Sequence, residues 1–352
     1  MRRTDDATVD RLLDRLRHQG DALADDAIDE LSGAARPSGA GLVGAVEARA
    51  RGGGAACTRL LEQAFTVPDW VDFARMRAGV HLGQRFPLHA ALSLLWGSLV
   101  ESYTAVLGAK VLVRAGQLEG DTVRRIRRTA EFVSQLGASA EARPGSSAHR
   151  HLLHVRLVHA FVRRAMRRRA DWDDAWGVPV NQEDNAGTLF MFSHVLLRGL
   201  GRLGVGPSEE EESSVHHVFR WVGHVIGVAP EVLTATREEE RRLYQHFSRR
   251  QHHPDDDSRS LAHALVRAFD GRAPFFLPAA SLYQISRHLI GDELADALEF
   301  PPRQRLALAT PLLATAARTQ RLVERVPGVV RLSLAAGASL ERRLRERGLG
   351  RS

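Results

Sequence analysis

Apolar and polar residues seldom alternate along this sequence, whereas Ala, Leu, Arg and Glu recur at helical spacing. A half-buried strand needs that alternation, so the chain is confined to an all-α fold. Its 352 residues, 44% of them hydrophobic, suffice for a sizeable core. No glycine-serine or proline-rich stretch is long enough to hold two independent cores apart. A single large helical domain is expected.

Punctuation along the chain marks the elements. Val9, Leu12, Leu13 and Leu16, then Leu23, Ile28 and Leu31, trace one or two amphipathic helices before the break at Gly52, Gly53 and Gly54. Asp69 is the expected N-cap of the next helix. Residues 89–113 form a long apolar run interrupted by Glu101 and Lys110, read as a buried helix broken near Gly97 or Gly108. Further helices are expected over 122–136, from Ser146 or Ser147 through 169, from Asn181 to about 203, over 208–226 and over 238–250. Asn181 caps its helix in this reading, and Glu183 and Asp184 favour its positive end.

The net charge of +7 is a weak guide to partners. Lys110 is the only lysine, and the arginines are interleaved with acids, as in REEERRLY over 237–244. A solvated, ion-paired helix surface explains this, and no nucleic-acid partner is expected. The denser group Arg163, Arg164, Arg167, Arg168 and Arg169 is the best candidate for an anionic contact. Cys57 is the sole cysteine, which excludes an intrachain disulfide and any cysteine-based cluster. The first twenty residues lack the apolar core of a secretory signal, and no run approaches about 18 uncharged apolar residues. A cytoplasmic protein with no membrane span is expected.

One constellation carries chemistry. Val155, Val158, His159, Val162 and Met166 fall on one helical face, so His159 points where the apolar side chains point. Arg156 and Arg163 flank it at three and four residues. A neutral imidazole in an apolar wall suits an axial ligand of haem iron, and neighbouring guanidinium groups suit its propionates. The plainer alternative is a core histidine bonded to a backbone carbonyl. A second group is Arg125 and Thr129, four apart and therefore on one face, where a guanidinium and a hydroxyl can bond a polarised oxygen. His194 sits in an apolar helix, and His217, Trp221 and His224 share a face. His194 and His224 are further candidates for lining a pocket or supplying a second axial ligand.

Four ordered stretches resemble the MpaB-type oxygenase family, which includes the rubber oxygenases or latex clearing proteins. They are 125–133 (RIRRTAEFV), 155–163 (VRLVHAFVR), 178–189 (beginning VPVNQED) and 221–228 (WVGHVIGV). The resemblance covers about residues 68–327. It implies a globin-like core holding one b-type haem, with His159 as the iron ligand and Arg125 and Thr129 assisting from the opposite side. It also implies dioxygen as co-substrate and cleavage of an olefinic bond in an isoprenoid chain, giving two carbonyl ends. Two departures stand out. Arg128 occupies the place where rubber oxygenases can carry an iron-capping lysine, and arginine stays protonated and does not normally ligate iron. The family's distal glutamate has Glu101 as its nearest candidate.

The implied organisation is a helical extension over 1–64, an oxygenase domain over 65–335 and a helical tail over 336–352. A small hydrophobic metabolite is the expected substrate. Two other readings stay open at this point. One is a haem-binding sensor or carrier without turnover, and the other is a helical protein that binds an acidic partner without haem.

Overall fold

The computed structural model describes residues 6–32, 41–114, 142–273, 275–304, 309–326 and 328–348. The helix expected over 122–136, with Arg125, Arg128 and Thr129, lies outside them. Among the described residues the fold is all-α; one isolated backbone bridge pairs Ala105 with His252.

Four helices come first: α1 (Asp6–Arg17), α2 (Ala22–Ser32), α3 (Leu42–Arg51) and α4 (Ala55–Phe65). They are not a detached appendage. Leu13 and Leu16 of α1 enter the cluster built around Trp221, and Ala27 and Ile28 of α2 pack with Leu153, Leu157 and Ala160. Next come α5 (Phe73–Arg85), α6 (Pro87–Leu92), a π-helical stretch Ser93–Ser98, α7 (Leu99–Tyr103) and α8 (Val106–Arg114). The cap of α5 is Asp72, which accepts from the amides of Ala74 (2.8 Å) and Arg75 (3.1 Å). The expected cap, Asp69, is spent in the turn closed by Val71 N on Pro68 O at 3.0 Å, so the helix starts three residues later.

The long apolar run also breaks elsewhere than expected. Gly97 lies inside the π stretch and Gly108 inside α8. The interruption falls at Thr104, whose hydroxyl and amide both bond the Glu101 carbonyl (2.7 and 3.0 Å), and at Ala105 in its bridge.

Beyond the undescribed segment run α9 (Ser147–Met166), capped by Ser146, and α10 (Gln182–Phe190), capped by Asn181. A second π stretch, Met191–Val195, joins α10 to α11 (Leu196–Arg202). Gly204 at φ +84° ends that run, with Val205 N returning to Leu200 O at 3.0 Å, as a helix C-cap requires. Helices α12 (Glu209–Val225) and α13 (Arg237–Gln251) each open with a full capping box, Ser208 with Glu211 and Thr236 with Glu239. The last described helices are α14 (Asp256–Phe269), α15 (Ala279–Ile290), α16 (Asp292–Ala297), α17 (Ala309–Val323) and α18 (Val329–Gly348).

The most extensive helix pairing is α5 against α12. Gly79 makes it possible: a Cβ there would fall 2.5 Å from the Ser214 carbonyl oxygen and 2.8 Å from the Val215 nitrogen. Backbone cannot yield as a side chain can. Gly79→Ala is therefore expected to cost about 1–3 kcal/mol, read as a lowered urea midpoint with unchanged m.

Candidate active site

Helix α9 has two working faces. Leu152, Leu153, Leu157 and Ala160 are fully buried, most of them against α2, α3 and α4. Val155, Val158, His159 and Val162 turn elsewhere. These four are half-buried, and none of the three valines belongs to a core cluster of the described residues. An apolar stripe is thus held at the edge of the core with an imidazole in its middle. The ring nitrogen Nδ1 of His159 is shielded from solvent and has no hydrogen-bond partner. Burial, helped by the nearby Arg163 charge, lowers its pKa to about 4, so the ring is neutral at neutral pH. Such a ring offers a lone pair, and among the described residues no group of three or more His, Cys, Asp or Glu is placed to hold a metal ion.

Arg156 and Arg163 do other work than expected of them. Arg156 is buried and grips Asp21 with two bonds (2.6 and 3.0 Å), the Gln63 side chain and the Val225 carbonyl at 3.2 Å. Arg163 is buried too, with Nε bonded to Asp25 (2.8 Å) and Nη1 to the Val180 carbonyl (2.7 Å). Their donors fasten α2 and its entry loop to α9. That corrects the expectation that they clasp a cofactor's carboxylates; they fix the helix that presents His159.

His224 also has protein partners: its Nε2 meets the Thr66 carbonyl at 3.1 Å, and its ring stacks on Trp221 at 5.5 Å. His217 accepts from the Asp72 amide at 2.9 Å. His194 differs. Its Nδ1 is buried without a partner, its ring lies 4.4 Å from that of Tyr244, and burial with the charges of Arg237, Arg198 and Arg241 takes its pKa down to about 3.

Glu101 proves to be the centre of a separate polar knot. It is fully buried, accepts from the Tyr244 hydroxyl, and pairs with Arg198, whose other terminal nitrogen bonds the same hydroxyl at 3.0 Å. Burial and the Glu101 charge raise the Tyr244 pKa, so the phenol stays protonated. The knot sits where the two π stretches face each other, stitched by Ser98 Oγ on Met191 O (2.7 Å) and Ser93 Oγ on Leu196 O (3.0 Å). Neither the phenol nor the guanidinium bonds helix α9, so the structure does not bring Glu101 and His159 together. Sequence reasoning missed Tyr244 and Arg198. The only signal was a lone carboxylate in an apolar run, which demands a partner without naming it.

The Asn181–Asp184 tetrad is a hub. Asn181 accepts from the Asp184 amide at 2.9 Å and caps α10, as expected. Gln182 ties Gly20, Gly227 and Ala229 together through its amide. Glu183 is fully buried between Arg17 Nε (2.7 Å) and Arg250 Nε (3.1 Å), and Asp184 takes the second arm of Arg17 at 2.8 Å. The tetrad straps α1 and α13 to the body on which α9 rests.

Residues 85–322, more than half of the chain, match the family described as ER-bound oxygenase mpaB/B'/rubber oxygenase, catalytic domain. The chain belongs to the MpaB and rubber oxygenase family. The matched region is therefore an oxygenase catalytic domain. A solved structure of latex clearing protein in its closed state is similar at a TM-score of 0.62 and 18% identity, covering 96% of this chain and 88% of that one. At that identity the likeness speaks for a shared all-α fold. Nothing among curated proteins matches the sequence. The oxygenase domain includes α9 with His159, the tetrad and the Glu101 knot, whereas helices α1 to α4 precede it.

Proposed function

We propose that this chain is a haem-b-dependent oxygenase that cleaves an alkene in a small isoprenoid or related metabolite with dioxygen. The observation that carries the proposal is His159: a neutral imidazole with an unpartnered, shielded nitrogen in the middle of an apolar stripe that no described core cluster covers. That donor suits a neutral axial ligand of haem iron. Bound haem supplies an iron centre that activates dioxygen.

The chain's own residues do the rest. Val155, Val158 and Val162 keep water from the His159 ring, which preserves its neutral form. Arg156 and Arg163, locked to Asp21 and Asp25, fix the pitch and rotation of α9 and hence the direction of the ring nitrogen. Arg125 and Thr129 are proposed to present a guanidinium and a hydroxyl from one helical face, donating to developing negative charge on oxygen. An aliphatic wall favours an apolar alkene over a charged substrate. In this reading residues 65–335 are the catalytic unit and the protein works in the cytoplasm.

The test is a visible spectrum of the full-length protein after haem reconstitution and desalting, followed by oxygen uptake with squalene as probe. A Soret band with alkene-dependent uptake is expected. No Soret band would sink the haem reading, and a band without uptake across a series of isoprenoid alkenes would leave a carrier or sensor in place of an oxygenase.

A further inference from the structure

Helices α17 and α18 are built inside out. A surface helix of a water-soluble domain turns its apolar stripe to the core. In α17 the polar residues face the protein. Gln320 donates to the Arg85 carbonyl at 2.9 Å, and Arg321 bonds the Val205 carbonyl (2.9 Å) and Glu211 (2.8 Å). Just beyond the helix, Glu324 accepts from Arg85 and from Ser333 of α18, which joins the two helices at their turn. The apolar residues face out: Leu312 and Leu332 are 69% exposed, Leu322 63% and Val326 55%. Of the eleven large hydrophobic residues exposed among the described ones, seven fall between 312 and 340. A concentration of that kind marks a surface whose working neighbour is not water.

Charge narrows the neighbour. Residues 309–348 contain eight arginines and three glutamates, a net +5 of the chain's +7. Arg318, Arg325 and Arg331 are exposed and alternate with the outward aliphatic residues. A second copy would set +5 against +5, which argues against a dimer through this face. Aliphatic side chains protruding between arginines are the pattern of helices that lie in the boundary between lipid headgroups and acyl chains. No helix among the described residues is long and apolar enough to cross a membrane, so the contact would be peripheral.

We propose that α17 and α18 form a docking face for an anionic lipid surface, with Leu322, Val326 and Leu332 entering the acyl boundary and Arg318, Arg325 and Arg331 meeting headgroup phosphates. The family match ends at residue 322, so most of this face lies beyond the matched domain, and the proposal stands whether or not the protein binds haem.

Co-sedimentation of the full chain with vesicles tests it, using phosphatidylcholine alone and phosphatidylcholine mixed with phosphatidylglycerol. Binding to the mixed vesicles only is expected. The triple variant Leu322→Ser, Val326→Ser, Leu332→Ser keeps every charge and should bind at least about tenfold more weakly. Removing Arg318, Arg325 and Arg331 to Ser should weaken binding about fivefold for each. Both variants change exposed positions, and their thermal melts should overlay the parent's. Equal binding to neutral vesicles, or undiminished binding of the aliphatic variant, would overturn the proposal. So would self-association in ultracentrifugation that the aliphatic variant abolishes while vesicles bind nothing.

Discussion

His159→Ala protein is expected to retain haem at least about 10- to 100-fold less well than the parent, with the Soret band lost on desalting. The scale follows from what even an outer partner of a metal ligand is worth, since the ligand itself must count for at least that much. Stability should barely change: His159 is half-buried, and its shielded Nδ1 makes no hydrogen bond that the substitution would break. A flat melting temperature beside a lost spectrum is thus the signature of a ligand, whereas a core histidine would give the reverse. Added imidazole should restore part of the band by filling the space the side chain vacates. An unchanged band in the variant would move the assignment to His194, the other candidate imidazole with a shielded, unpartnered nitrogen.

The largest effect on folding is expected at Glu183. Its carboxylate is wholly buried between Arg17 and Arg250, and Arg17 is itself nearly sealed from water. Glu183→Ala would leave a guanidinium buried with only Asp184 to answer it. Breaking one side of a buried pair in this way costs about 3–5 kcal/mol, because the remaining charge keeps its desolvation penalty and loses its compensation. Denaturant unfolding should show that loss. Limited proteolysis should cut first near the junction of α1 and α2, since Arg17 is the clasp that holds α1 to the tetrad. A loss below about 1 kcal/mol would mean that water reaches the pair and that the hub is not sealed.

Local chemistry was legible in the sequence and distant pairing was not. The caps at Ser146, Asn181 and Ser208 and the helices they open could be read directly, because a cap and its target lie within three residues. The start of α5 was missed because Asp69 and Asp72 are both plausible caps, and only the turn at Pro68 decides between them. Arg156 and Arg163 were legible as neighbours of His159 but not as partners of Asp21 and Asp25. Their ion pairs span 135 and 138 residues, and nothing periodic links the two helices before they pack. The same holds for Glu101, whose partners Arg198 and Tyr244 lie 97 and 143 residues away. His159 itself was legible because its signal, an imidazole inside an apolar helical face, is local.

The facing π stretches have a bearing on how this family can change. A π turn holds one residue more than the α-helix around it would. Deleting a single residue from Ser93–Ser98 would restore the regular repeat and rotate all that follows by about 100°. Glu101 would then swing away from Arg198 and Tyr244, and Ser98 from the Met191 carbonyl. Conservative substitutions along these helices leave the knot's register intact. A one-residue deletion or insertion does not, so length, more than side-chain identity, is the variable that sets which groups meet at the centre of the molecule.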